Sequence, residues 1–132
     1  MQPIIFIIDD NMVSDFATRM ALDQAQIPAK ILSFESGEEG LIAFKKAFET
    51  QKGIPNIVLL DLKMPNMDGW AFLDKLQKLP VKTKSTAIYL LSTYANKEVR
   101  LRAKNHQLIT GYFERPLSAQ NVLTMFMIEK SE

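Results

Sequence analysis

Five short runs recur along the chain: "IIFII" (4–8), "KILSF" (30–34), "NIVLL" (56–60), "TAIYLL" (86–91) and "TGYF" (110–113). Longer segments of helical spacing separate them, and this alternation is the pattern of a parallel sheet with crossover helices. The first run is continuously apolar rather than alternating, as in a strand covered on both faces. A chain of 132 residues, 47% of them apolar, is the size of one such domain.

The connecting segments carry their own start and stop signals. Val13, Phe16, Ala17, Met20 and Ala21 form one apolar helical stripe that Pro28 is expected to end. Ser36 and Glu39 make a capping box for a helix with Leu41, Phe44 and Phe48 on one face. Gly53 and Pro55 break the chain before the third strand. Residues 69–79 predict a short helix with Phe72, Leu76 and Leu79 inward, closed by Pro80. Residues 95–106 predict a more polar helix, and Ser118 caps a last one with Val122, Leu123 and Phe126 inward. Five βα units joined by right-handed crossovers place helices on both faces of one open sheet. Neither a linker nor a repeat is present, so residues 1–132 are expected to form a single domain with no output domain attached.

Composition narrows the class of function. Sixteen basic against 15 acidic residues give a net charge of +1, with no lysine- or arginine-rich run, which argues against a nucleic acid or a membrane surface as partner. The first ten residues, "MQPIIFIIDD", carry no basic leader and only five consecutive apolar positions, too few for a signal peptide or a spanning helix. Cysteine is absent, which fits a reducing compartment, and a cytoplasmic location is expected.

Ligands of an open parallel sheet gather beyond the carboxyl ends of its strands. There the first strand is followed by Asp9 and Asp10, the third by Asp61, the fourth by Ser92 and Thr93, and the fifth by Glu114 and Arg115. Each is ordinary taken alone: Asp10 or Asn11 caps a helix, "PNMDG" makes a turn, Ser92 and Thr93 cap, and Arg115 is solvated. Together, at four strand ends that the topology brings to one edge, they are a constellation. Two carboxylate charges about 4 Å apart repel by roughly 4 kcal/mol at an effective dielectric near 20, so such a cluster binds a cation or raises a pKa. With oxygen donors only and His106 on another element, Mg²⁺ is the natural ion, and it keeps a face open for a phosphoryl group. A hydroxyl from Ser92 and the charge of Arg115 complete a set suited to phosphoryl chemistry on a carboxylate.

The residues that carry this chemistry resemble those of the receiver domains of two-component response regulators, in particular the stand-alone, chemotaxis-regulator type. The resemblance covers the whole chain through Asp9-Asp10, "DLKMPNMDG" (61–69), "LLST" (90–93) and "GYFERP" (111–116). It implies a flavodoxin-like (βα)5 fold, doubly wound, with strand order 2-1-3-4-5. It also implies that Asp61 is the phosphoacceptor, taking a phosphoryl group from a partner histidine kinase or histidine phosphotransfer protein. Asp10, Asp61 and the backbone carbonyl of Lys63 would ligate Mg²⁺, with Asp9 acting through a bound water. Ser92 would be the switch hydroxyl and Tyr112 the aromatic that reports the switch on the surface of the fourth helix, fifth strand and fifth helix. The Lys63 side chain, two residues beyond the acceptor, and Thr93 would modulate phosphoryl lifetime at the site mouth.

One position departs from the family. Receivers nearly always carry lysine before the fifth-strand proline, where this chain has Arg115 as the phosphoryl-contacting cation. Guanidinium is planar and bidentate where ammonium is a compact point charge, so the exchange is not conservative. Two competing readings follow: a pseudo-receiver that docks without phosphate, and an aspartyl-phosphate phosphohydrolase. The second is disfavoured because hydrolases of the haloacid dehalogenase type carry an aspartate where this chain has Lys63. The expected activity is a switch that catalyses only its own phosphotransfer and dephosphorylation, and signals through an unknown downstream protein or onward transfer.

Overall fold

A computed structural model describes residues 2–80, 85–93 and 96–130. The elements alternate: β1 (Ile4–Ile8), α1 (Met12–Gln24), β2 (Lys30–Phe34), α2 (Gly37–Thr50), β3 (Ile57–Asp61), α3 (Gly69–Lys78), β4 (Ala87–Ser92), α4 (Lys97–Asn105), β5 (Gly111–Glu114) and α5 (Ala119–Lys130). All four strand pairings are parallel, and the sheet order is β2-β1-β3-β4-β5, the flavodoxin-like arrangement expected.

The three central strands explain why their sequences are apolar throughout. Phe6, Ile8, Val58, Leu60, Ile88 and Leu90 point to one face, where Phe44 of α2, Phe72, Leu73 and Leu76 of α3 and Ala103 of α4 cover them. Ile5, Ile7, Ile57, Leu59, Tyr89 and Leu91 point to the other, beneath Ala21 and Leu22 of α1 and Val122 and Met125 of α5. A one-residue slip in any of these strands would exchange the two cores, so register is strongly specified.

Each helix begins on a side-chain cap. Asn11, Ser36, Asp68 and Asn96 accept the backbone N–H of Ser14, Glu39, Ala71 and Val99 respectively. Ser118 accepts from Asn121 N–H at 3.0 Å while Asn121 Oδ1 accepts from Ser118 N–H at 3.3 Å, closing a reciprocal cap on α5.

Several boundaries and one face differ from the sequence reading. β3 starts at Ile57 because Asn56 bridges strands instead: its Oδ1 accepts from Ile4 N–H at 2.8 Å and its carbonyl accepts from Ala87 N–H at 2.9 Å. Thr86 stays outside β4, its hydroxyl donating to the Pro55 carbonyl at 2.7 Å, and β4 runs on to include Ser92. β5 is shifted one residue, and residue 95, the expected start of the fourth helix, lies outside the described residues. α1 ends at Gln24, where Gln26 turns the chain with a φ of 56°, ahead of Pro28.

The larger correction concerns α1. Of its expected inward stripe only Ala21 is buried and Ala17 is half-buried, while Val13 is 78% exposed, Phe16 64% and Met20 40%, beside Met12 at 80%. Thr18, Ala21 and Leu22 take the buried side, where Ala21 and Leu22 join strand and α5 residues in one core. On α5, Leu123 is likewise turned outward while Val122 and Met125 are fully buried. Among the described residues, no helix is long and apolar enough to cross a membrane.

Candidate functional site

Asp9, Asp10, Asp61, Ser92 and Arg115 meet at the carboxyl edge of the sheet, as their strand-end positions require. Asp9 continues the β1–β2 ladder, donating its N–H to the Phe34 carbonyl at 3.0 Å, and its side chain is almost wholly buried. One carboxylate oxygen accepts from Asn11 N–H at 3.0 Å and the other from the Arg115 guanidinium at 2.8 Å. Asp10 is exposed on the solvent side of the cluster. One oxygen from each of Asp9, Asp10 and Asp61 lies within 4.8 Å of the others.

Asp61 closes β3. Behind it, Gly69 N–H donates to the Leu62 carbonyl at 2.8 Å, and buried Met64 and Met67 anchor the intervening turn. A Cβ on Gly69 would sit 3.0 Å from the Asp61 carbonyl oxygen and 3.1 Å from Leu62 Cα, so a side chain there must push the acceptor-strand backbone away by a few tenths of an ångström. Gly69→Ala is expected to lower stability by about 1–3 kcal/mol through that backbone clash. Denaturant midpoints of the two proteins check it; an unchanged midpoint would show that the loop absorbs the methyl freely.

Burial raises the Asp61 carboxyl from 3.8 to about 6. The Arg115 charge opposes this, the Asp9 charge adds to it, the Lys63 backbone N–H lowers it by hydrogen bonding, and the Asp10 charge raises it slightly. The Lys63 backbone thus reaches Asp61 through its N–H. Its side chain is exposed and, with Asp10, Asp61, exposed Thr93 and Arg115, lines an open pocket of about 520 Å³. Val13 and Ala17 of α1 form another wall of the same pocket.

Arg115 is not solvated. The β4–β5 ladder delivers it, its N–H donating to the Ser92 carbonyl at 2.9 Å, and its side chain is only 13% exposed. The guanidinium sits 2.8 Å from Asp9 Oδ2 and 3.3 Å from Asp61 Oδ1. The Arg115–Pro116 peptide is cis.

Ser92 is buried at the end of β4. Tyr112 packs inward against the α3–α4 side of the core with its hydroxyl enclosed. Burial raises the Tyr112 hydroxyl pKa, Glu114 adds to the rise, and Ser92 and Arg100 partly offset it. The acidic trio, Ser92, Thr93 and Arg115 therefore share one edge, with Tyr112 behind Ser92. His106 is absent from this group: it caps the C-terminus of α4, its Nδ1 accepting from Leu108 N–H at 3.1 Å.

Oxygen-only donors, one of them exposed to retain water, fit Mg²⁺ rather than a softer metal. Two features escaped the sequence reading. The bridge from Arg115 to Asp9 joins residues 106 positions apart with no local signal. The outward apolar face of α1 competes with a second helical stripe, Thr18, Ala21, Leu22 and Ala25, and periodicity alone does not choose between them.

Comparison with known proteins agrees with the architecture. The model of the response regulator receiver domain matches residues 5–126. The sensor histidine kinase CheAY of Helicobacter pylori is 28% identical over 122 residues, 92% of this chain but 14% of that protein. The probable methanogenesis regulatory protein FilR2 of Methanothrix harundinacea is 22% identical over 119 residues, covering 90% of this chain and 76% of the relative. Among solved structures, a two-component response regulator from Cytophaga hutchinsonii superposes with a TM-score of 0.92 at 19% identity, over 99% of this chain and 98% of that one. The chemotaxis protein CheY4 of Vibrio cholerae gives 0.73 at 19% identity, over 97% and 98%. Its sequence match, sheet order and carboxylate-lined edge make this chain a member of the response regulator receiver family.

Proposed function

We propose that the chain is a phosphorylation-operated signalling switch whose acceptor is Asp61. The supporting observation is the placement of the Asp61 carboxylate: at the end of a rigid buried strand, open to a pocket, between two further carboxylates and a guanidinium. An Asp61 oxygen attacks the phosphorus of a phosphohistidine on a histidine kinase or histidine phosphotransfer protein. The new O–P bond forms as the P–N bond breaks, and the imidazole leaves with the electron pair and takes a proton. Mg²⁺ bound by Asp10, Asp61 and the Lys63 carbonyl, with Asp9 through water, would neutralise phosphoryl charge during transfer. Arg115 supplies a second positive charge beside the acceptor, and Ser92 offers its hydroxyl to a phosphoryl oxygen. Tyr112, enclosed behind Ser92, transmits that shift to the α4-β5-α5 surface, where a downstream protein reads it. Lys63 and Thr93, at the pocket mouth, govern water access and so the lifetime of the acyl phosphate. Such a switch would be cytoplasmic, and it would catalyse no reaction beyond its own phosphorylation and dephosphorylation.

The donor is a protein, and its docking surface is the exposed face of α1. Val13 and Ala17 line the pocket that holds Asp61, so a donor reaching in must cover Val13 and its neighbours Met12, Phe16 and Met20.

A second reading, a docking module that does not use phosphate, draws support from the grip of Arg115 on both Asp9 and Asp61. Incubation with a small acyl-phosphate donor separates the two. The switch is expected to gain the mass of one phosphoryl group with Mg²⁺ present and to gain none in excess chelator. No gain in either condition would favour the docking module.

A further inference from the structure

Arg115 and a divalent cation draw on the same carboxylates. The guanidinium holds Asp9 Oδ2 at 2.8 Å and Asp61 Oδ1 at 3.3 Å, and these two carboxylates supply two of the three acidic side chains in the candidate cation cluster. The Asp9 carboxylate is nearly sealed, its side chain only 1% exposed, and its other oxygen is already held by Asn11 N–H. Both Asp9 oxygens are therefore already engaged while Arg115 stays in place, which weakens their pull on a cation or its bound water.

Guanidinium suits this bridging role better than ammonium does. Its planar fork presents donors to two carboxylates at once, whereas an ammonium is a strongly hydrated point charge on a flexible stem. The pocket next to the cluster, about 520 Å³ and lined in part by Arg115 itself, gives the side chain somewhere to go when it leaves.

We propose that Arg115 is a tethered competitor of the divalent cation, occupying Asp9 and Asp61 in the cation-free protein so that Mg²⁺ affinity is set by its displacement. The inference rests on reading the acidic cluster as a Mg²⁺ site. It assigns to this arginine a regulatory effect separate from contact with a phosphoryl group. A low occupancy by Mg²⁺ at rest would keep the unphosphorylated site closed, and a phosphoryl group on Asp61, by offering the guanidinium new oxygens, would free Asp9.

The test is direct titration of Mg²⁺ into the unphosphorylated full chain by calorimetry, at pH 8, well above the Asp61 value of about 6. Wild type, Arg115→Lys and Arg115→Met are compared, with thermal melts confirming that each is folded. Removing the competing charge in Arg115→Met is expected to tighten Mg²⁺ binding about tenfold or more, with Arg115→Lys in between. The lysine variant keeps the charge, so it carries the test if the methionine variant fails to fold. Equal or weaker affinity in the variants, with wild type binding Mg²⁺, overturns the competition and leaves the Mg²⁺ site standing. No Mg²⁺ binding by any of the three overturns both.

Discussion

Asp61→Asn is expected to fold, to take no phosphoryl group from any donor, and to be more stable than wild type at neutral pH. The first effect is an all-or-none loss, because an amide is no nucleophile toward phosphorus and no other described carboxylate sits at the acceptor strand's end. The second follows from burial. The Asp61 carboxyl is raised from 3.8 to about 6, so the folded protein holds this proton more tightly than the unfolded chain does. Its stabilising contribution is complete below pH 3.8 and is lost as pH rises through about 6. Above pH 6 the ionised carboxylate is therefore held at a cost, which the amide avoids. Because the carboxylate still touches solvent, the full shift is discounted, and Asp61→Asn should gain about 1–2 kcal/mol at pH 7.5 in chelator. The gain should shrink as pH falls from 6 toward 4. Urea denaturation of both proteins across that range measures it, and a gain that stays constant with pH would mean that burial does not penalise the charge.

The second large effect concerns α1. Phe16→Asp places a charge in the middle of the exposed apolar face beside the pocket, at a side chain 64% exposed that supports no core. Losing a central aromatic anchor costs an interface about 2 kcal/mol or more, so transfer from a phosphohistidine protein should slow by roughly 30-fold or more. Labelling by a small phosphodonor, which needs no docking surface, should be unchanged. Equal losses with both donors would place the defect in the site instead, and no loss with the protein donor would remove α1 from the interface.

The contrast between these predictions shows what the sequence could and could not convey. The strands were legible because a two-sided buried strand must be apolar up to its end, and β1, β3 and β4 are, with Asp61 and Ser92 as the last residues of β3 and β4. The acidic edge was legible for a related reason: a polar residue following such a run has nowhere to lie except at the strand's end, and Asp9, Asp61 and Ser92 all do. The face of α1 was not, since two stripes of helical spacing coexist and the choice was made by packing against α5 and the sheet. Nor was the role of Arg115. The resemblance singled out the substitution, but the pairing with Asp9 depends on the β4–β5 register that lays Glu114 beside Ser92 and so carries Arg115 across the site. Boundaries slipped where side chains replaced ladder bonds, as at Asn56 and Thr86.

The wiring of Ser92 and Tyr112 adds a mechanical point. Both hydroxyls lie inside the protein, between the acceptor edge and the α4-β5-α5 surface. Under the proposed function, an oxygen placed on Asp61 would compete for the Ser92 hydroxyl, and the loss would fall on its interaction with Tyr112. On the proposed switch reading, the half-buried Tyr112 ring would need a second position for a phosphoryl group to favour.

The central claim is chemical, and borohydride reduction tests it most directly. An acyl phosphate on a carboxylate is cleaved by hydride to an alcohol, leaving a permanent mark at the residue that carried it. After incubation with a phosphodonor and Mg²⁺, the tryptic peptide spanning Asp61 is expected to contain homoserine at position 61. A peptide map with unaltered Asp61, or with the reduced residue at another carboxylate, would contradict the assignment of this strand end as the phosphoacceptor.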